Sequence, residues 1–399
     1  MIQLNPTTPA LRSRRRFPWR GLLVVAASAV AARVFLFETL RIASGSMEPC
    51  LHGDPQAGDR IALVRHWWTL APPQRFDLVV FARPPDETRR GEEIVVKRVA
   101  AVGGESVRIA DGELWVREAG GSEKVVVKRY DEFRRLLVPL FREPFAGDPL
   151  QRLEPLDRAL VEPAGRALRF DGREPGSESG VRLASEAARF DDGGLAADGS
   201  RVQGTDEVSD LLFAVELAVE DDGSCVVLQL PISGQPCEFI ATPVGGGYRV
   251  SFACRGESRA QGEAGSVAVG RPVRFEFFQV DGRVGAAVDG DVAFEARFDR
   301  DRSSLAAGGL VGAPTLLIRQ GRASLTAFEV WRDLHFTQPS DAHFAVDAPF
   351  EVPEGSCFVL GDASAQSIDS RYYGAIERAA LRGRPVGVIA PGRARRWLW

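Results

Sequence analysis

The sequence predicts a mainly β protein with an N-terminal transmembrane helix, and three observations predict it. Residues 40–118 alternate short apolar runs with turn residues: Arg60 to Val64, Asp77 to Phe81, Ile94 to Val99, Val107 to Ile109 and Leu114 to Val116. From Leu211 to Phe336 the alternation returns. Val273, Phe275 and Phe277 precede Asp281-Gly282, Val284, Ala286 and Val288 precede Asp289-Gly290, and Val292, Phe294, Ala296 and Phe298 keep the period. A period of two with Asp-Gly turns is the pattern of antiparallel strands with one buried face. Ahead of both lies an apolar stretch, Phe17 to Phe37, which follows Arg12, Arg14, Arg15 and Arg16.

That stretch has about the 20 residues that a spanning helix needs, if Arg20 and Arg33 snorkel to opposite interfaces. A cleavable signal peptide has a similar look, and Ala29-Val30-Ala31 offers a cleavage site. The length favours an uncleaved anchor over 17–37, with a basic segment 1–16 kept in the cytoplasm and the rest of the chain across the membrane.

The first β rhythm, 38–118, and a closing part, 343–399, flank a long insertion, 119–342. Within the insertion, 119–200 reads as irregular or helical. Phe133, Leu136, Leu137, Leu140 and Phe141 fall at helical spacing over 131–142, and Pro139 must end or kink that helix. Residues 201–337 read as a β-sandwich. Their strand rhythm and the closing Phe328-Glu329-Val330-Trp331-Arg332-Asp333 resemble a concanavalin A-like or laminin G-like domain.

Composition narrows the function. At 399 residues two domains are expected, and a net charge of -4 with dispersed arginines gives no field for nucleic acid. The four histidines, His52, His66, His335 and His343, lack zinc spacing, so neither metal nor other cofactor is expected. Five cysteines suit an exported domain. Cys237 and Cys254 flank a Gly245-Gly246-Gly247 turn, and in a hairpin they face each other, either as a cross-strand disulfide or as two small buried hydrophobes.

Two scarcities point to chemistry. Met47 is the one methionine after the initiator, and it lies in Ser44-Gly45-Ser46-Met47-Glu48-Pro49. Of 50 basic residues, only Lys97, Lys124 and Lys128 are lysines. Arginine stays charged, whereas a lysine buried among apolar groups loses its proton readily and serves as a base. Lys97, in Ile94-Val95-Val96-Lys97-Arg98-Val99, has that setting. A serine hydroxyl needs such a base, and none of the histidines stands in a catalytic context; His52 reads as a surface residue.

Together these stretches resemble the type I signal peptidases, membrane-bound Ser-Lys peptidases that release exported proteins. The nucleophile box is Ser44 to Pro49. Two strand boxes are Gly58-Asp59-Arg60-Ile61-Ala62-Leu63-Val64 and Arg75-Phe76-Asp77-Leu78-Val79-Val80-Phe81. Val95 to Val99 is the lysine box, and Gly361-Asp362-Ala363-Ser364-Ala365-Gln366-Ser367-Ile368-Asp369-Ser370-Arg371 the last. The resemblance implies Ser46 as nucleophile and Lys97 as general base. It implies an oxyanion hole of the Ser46 N–H and the Ser44 hydroxyl, with Ser367 orienting Lys97. Asp369 with Arg371, and Asp362 with Arg98, would brace the site, and Leu40, Ile42, Met47 and Val96 would line pockets for small side chains. Lys128, which lacks the Gly103-Gly104 turn that follows Lys97, is expected at a strand edge.

The implied substrates are signal-peptide-bearing preproteins of the Ala-x-Ala type. The implied location is the bacterial cytoplasmic membrane, with the catalytic domain on its outer side, near the lipid bilayer and the export machinery. A glycan or protein ligand is open for the inserted sandwich. The rival function is a membrane-anchored glycan- or protein-binding protein on a non-catalytic peptidase-like platform. The chain departs from the family pattern where Phe76 replaces glycine, Cys50 threonine, Ala363 asparagine and Gly104-Glu105 a Gly-Asp pair.

Overall fold

The computed structural model describes residues 36–83, 93–144, 149–174, 179–184, 190–195, 199–221, 223–232, 235–266, 270–298, 312–389 and 396–397, with Ala27. Strands dominate, and every strand pairing among these residues is antiparallel. No helix among the described residues is long and apolar enough to cross a membrane, and the expected anchor over 17–37 lies almost wholly outside them.

An eight-stranded sheet interleaves the two ends of the chain. Its order is Phe37–Arg41, Arg60–Arg65, Leu381–Val388, Leu78–Arg83, Glu93–Val102, Ser356–Leu360 and Ile376–Glu377, with Arg396–Trp397 paired to Leu381–Val388. A C-terminal strand thus separates two N-terminal ones, so neither end completes this sheet without the other. The alternation in Leu78–Arg83 decides its two faces. Leu78 and Val80 join Ile42, Met47, Leu51, Ile61, Leu63, Val96 and Val388, while Val79 and Phe81 join Trp68, Val99, Cys357, Val359 and Ile376. A smaller sheet holds Phe350–Glu351, Ser106–Ala110, Glu113–Arg117 and Lys124–Val125.

The remaining two large sheets form a sandwich. One runs Val161–Ala164, Ala167–Asp171, Arg322–Arg332, Leu211–Val219, Pro272–Val280, Arg283–Val288 and Asp291–Arg297, with Val138–Pro144 paired to Arg322–Arg332. The other runs Glu257–Ala264, Gly247–Cys254, Gln235–Val244, Cys225–Ile232, Thr315–Arg319, Ser179–Leu183 and Leu153–Pro155. Phe213, Phe239, Phe252, Phe275, Phe277 and Phe328 fill the space between them. Cys237 and Cys254 are register partners and are joined as a disulfide.

The structure corrects two local readings. The helix expected over 131–142 is confined to Tyr130–Phe133, and Val138–Pro144 is a strand. Pro139 sits in that strand, and Leu140 and Phe141 bury in the sandwich core, a larger apolar gain than a kinked helix offers. The passage to residue 200, read as irregular or helical, contributes strands to both sandwich sheets.

The two segments that join the sandwich to the remainder are buried as well. Leu136 and Val138 on the way in, and Leu334 and Phe336 on the way out, pack with Ala100, Val107, Ile109, Leu114, Phe358 and Leu360 in one core.

Candidate active site

Met47 anchors the nucleophile turn. It is the apolar end of a short 3-10 turn, Gly45–Met47, and is buried against the eight-stranded sheet, which leaves Ser46 half-buried and Ser44 exposed. The Ser44 and Ser46 hydroxyls are 3.4 Å apart. The Ser46 carbonyl accepts from the Ala363 N–H at 3.2 Å, so the turn is tied to the loop that carries Ser367.

Lys97 lies in the middle of Glu93–Val102, buried, and its Nζ donates to Ser367 Oγ at 2.9 Å. Gly361 lies between Ser367 and the nucleophile turn. A Cβ there would overlap Ser367 Oγ and lie 2.5 Å from the Ser46 carbonyl oxygen, so only glycine permits this approach. Burial pulls the Lys97 pKa from 10.5 down to about 8, against the attraction of the Asp369 and Asp362 carboxylates. A substantial share of this lysine is therefore a neutral amine, able to accept a proton, near pH 8.

Two buried ion pairs frame it. Arg98 donates from Nε and Nη2 to the two Asp362 oxygens at 2.8 and 2.6 Å, and from Nη1 to the Phe76 carbonyl at 2.8 Å. Arg371 grips Asp369 likewise at 2.9 and 2.8 Å, with both residues fully enclosed. Asp369 also accepts from the Gly361 N–H at 3.0 Å, which fixes the glycine between the two serines. Bidentate guanidinium and carboxylate pairs of this kind hold backbone geometry as well as charge. Phe76, at the position where glycine was expected, has φ of 69°, a left-handed backbone unusual for an aromatic residue.

Leu40, Ile42, Met47 and Val96 come together in one apolar cluster. Three of them are buried, Leu40 less so.

Three residues exceed what the sequence signalled. Thr337, on the segment leaving the sandwich, accepts from Arg371 Nη1 through its carbonyl at 2.9 Å and through Oγ1 at 3.0 Å. Its N–H donates to Ser364 Oγ at 2.9 Å. No motif contains it, so only its distance in space could have revealed it. His52, expected at the surface, is half-buried, with Nδ1 2.8 Å from Glu48 Oε1, and that oxygen also accepts from the Gly53 N–H at 3.0 Å. The pair closes the loop behind the nucleophile turn. Here the signal was available: Glu48 and His52 are four apart around a tight turn.

Lys128 is not at a strand edge. It is buried between Asp281 at 2.7 Å and Asp333 at 2.8 Å, with its ammonium 5.6 Å from the centre of the Phe76 ring. Burial alone would lower its pKa, but Asp333 and Asp281 outweigh that and hold it well above an ordinary lysine. It cannot supply a neutral amine. Glu113, Asp210 and Asp281 bring carboxylate oxygens within 4.8 Å of one another, a cation-attracting group among the described residues that the Lys128 ammonium already adjoins.

The family profile described as signal peptidase, peptidase S26, matches residues 17–146 and 307–389, together more than half of the chain. A protein called probable signal peptidase I-2 from Synechocystis sp. is 32% identical over 90 residues, which are 22% of this chain and 39% of that protein. The match thus spans well under half of that relative's length. Among solved structures, a β-1,3-1,4-glucanase (lichenase) from a mouse hindgut metagenome is similar at 12% identity and a TM-score of 0.33, over 48% of this chain and 98% of that one. The Caenorhabditis elegans galectin LEC-6 is similar at 11% identity and a TM-score of 0.25, over 41% and 94%.

Proposed function

The chain belongs to the signal peptidase family, peptidase S26, and from that premise we propose that it is a membrane-anchored serine endopeptidase cutting exported preproteins after small residues of the Ala-x-Ala type. The observation that carries this reading is Lys97: an enclosed amine with its pKa lowered to about 8 and a neutral hydroxyl, not a carboxylate, as its hydrogen-bond partner.

In the proposed reaction neutral Lys97 takes the Ser46 proton as Ser46 Oγ attacks the scissile carbonyl. Negative charge then grows on the substrate oxygen, where the Ser46 N–H and the Ser44 hydroxyl stabilise it. The Lys97 ammonium returns its proton to the departing amine, and water hydrolyses the acyl-enzyme by the same route in reverse. Ser367 keeps the amine directed, and the Asp369–Arg371 and Asp362–Arg98 pairs keep Ser367 and Lys97 in register. Leu40, Ile42, Met47 and Val96 supply the apolar walls that small side chains fit.

The anchor over 17–37 would hold the site at the outer face of the cytoplasmic membrane, where precursors emerge from the export machinery.

The test is cleavage of an Ala-x-Ala precursor by purified protein beside its Ser46→Ala variant. Cleavage by the parent and none by the variant is expected. Equal cleavage in both, or none in either, would favour the binding-platform function instead.

A further inference from the structure

Ser44, the oxyanion donor of the peptidase reading, is held from behind by a second loop. It is exposed with an extended backbone, and its hydroxyl reaches Ser46 Oγ at 3.4 Å, a long contact that fixes no direction. Its aim therefore depends on the backbone on either side. Before it, the Ile42 N–H donates to the Asp59 carbonyl at 2.8 Å, and the Ile42 carbonyl accepts from the Asp54 N–H at 3.1 Å. After it stands Gly53. A Cβ there would lie 1.8 Å from the Ser44 carbonyl oxygen and 2.5 Å from the Gly45 nitrogen, so the Gly53 backbone rests directly on the Ser44–Gly45 peptide.

Glu48 ties Gly53 to the nucleophile turn. Its N–H donates to the Gly45 carbonyl at 2.9 Å, closing the turn that presents Ser46. Its carboxylate reaches the following loop, where Oε1 accepts from the Gly53 N–H at 3.0 Å and lies 2.8 Å from His52 Nδ1. His52 is itself anchored: its N–H donates to Asp59 Oδ2 at 2.9 Å, and its carbonyl accepts from the Asp59 N–H at 2.9 Å. A ring thus runs from Gly45 through Glu48 to Gly53 and back onto the Ser44–Gly45 peptide. Asp59 joins both His52 and Ile42 to it.

An oxyanion donor is effective when it is already aimed at the point where charge develops, and one that must turn into place loses part of its effect. Resting on the peptidase reading above, we propose that Glu48, acting through Gly53, is a positioning residue for the Ser44 hydroxyl, so that the acceptor oxygen of the residue after Met47 sets part of kcat. Substrate binding does not depend on it. What Gly53 needs from this side chain is an acceptor at the Oε1 position, which glutamine also supplies.

The test is a double-mutant cycle in the full-length chain on an Ala-x-Ala precursor, with the folding of each variant followed by circular dichroism. Glu48→Ala is expected to lower kcat by about tenfold with KM within about twofold of the parent. In a Ser44→Ala background the same substitution should change kcat by less than about twofold, because the hydroxyl it aims is gone. Glu48→Gln, which keeps the acceptor, should restore most of the rate. Should Glu48→Ala not fold, His52→Ala frees one partner of the same carboxylate and carries the cycle with a loss of about threefold. No loss, an equal loss in both backgrounds, a loss confined to KM, or Glu48→Gln as slow as Glu48→Ala would overturn the proposal while leaving the peptidase reading intact. A parent that cleaves nothing would overturn both.

Discussion

Lys97 and Lys128 occupy opposite electrostatic environments. Both are buried, at 3% and 7% exposure, so burial is not what distinguishes them. The difference lies in their neighbours. Lys97 meets a hydroxyl at 2.9 Å, whereas Lys128 meets carboxylates at 2.7 and 2.8 Å. Desolvation without a contact counter-charge drives the first toward the neutral amine. Two counter-charges hold the second firmly as an ammonium, even though desolvation opposes them. Charge state here follows from the nearest oxygen, and the same residue type becomes a base in one place and a structural cation in the other.

Exchanging each lysine sharpens this contrast most. Lys97→Arg places a permanent charge where a neutral amine is required, and should reduce kcat by a factor on the order of 10³ or more. Circular dichroism should show a folded chain. Retained cleavage would remove Lys97 from the chemistry. Lys128→Met leaves Asp281 and Asp333 facing each other with no cation, and should cost about 3–5 kcal/mol of stability in urea unfolding. Its kcat per folded molecule should stay within about twofold of the parent. A stability unchanged by this substitution would break the contrast from the other side.

Linkage separates the two lysines without any mutation of the site. The folded pKa of Lys97 is lowered, so the unfolded chain holds more protons between about pH 8 and 10.5 and stability from this group rises with pH through that window. The folded pKa of Lys128 is raised, so its contribution is complete below its unfolded value of 10.5 and fades only as pH climbs beyond that toward the folded value. Urea unfolding at pH 8 and pH 10 for the parent and Lys97→Met should therefore converge as pH rises. Divergence would contradict the lowered Lys97 value. The smallest effect belongs to Thr337→Val, which removes one of the Arg371 acceptors and should cost about 1 kcal/mol with a minor loss in kcat.

Much of this arrangement could be read in the sequence, and particular residues show where the reading stopped. Leu78 to Phe81 announced a strand by composition, and the structure splits the four onto two faces as a period of two requires. Local composition governs there. The boxes around Ser46, Lys97 and Ser367 were each legible for the same reason; Gly361 packs against Ser367 and the Ser46 carbonyl, and Ser367 accepts from Lys97.

Lys128 was misplaced because its partners are 153 and 205 positions away, at Asp281 and Asp333, and no local pattern encodes them. Thr337 was invisible on the same ground. Residues 131–142 misled in a different way. Leu140 and Phe141 have helical spacing relative to Phe133, yet the register with Arg322–Arg332 decides their conformation. Phe76 was noticed as an exception to a glycine. Its left-handed backbone and the Lys128 ammonium near its ring show that the exception sits at the junction with the insertion.

The most direct test of the whole account is the pH dependence of kcat/KM for an Ala-x-Ala precursor. A single rising limb is expected, half-maximal near the Lys97 value of about 8, because only the neutral amine accepts the Ser46 proton. A limb centred near pH 6, or a rate independent of pH from 6 to 9, would contradict the assignment of Lys97 as the base.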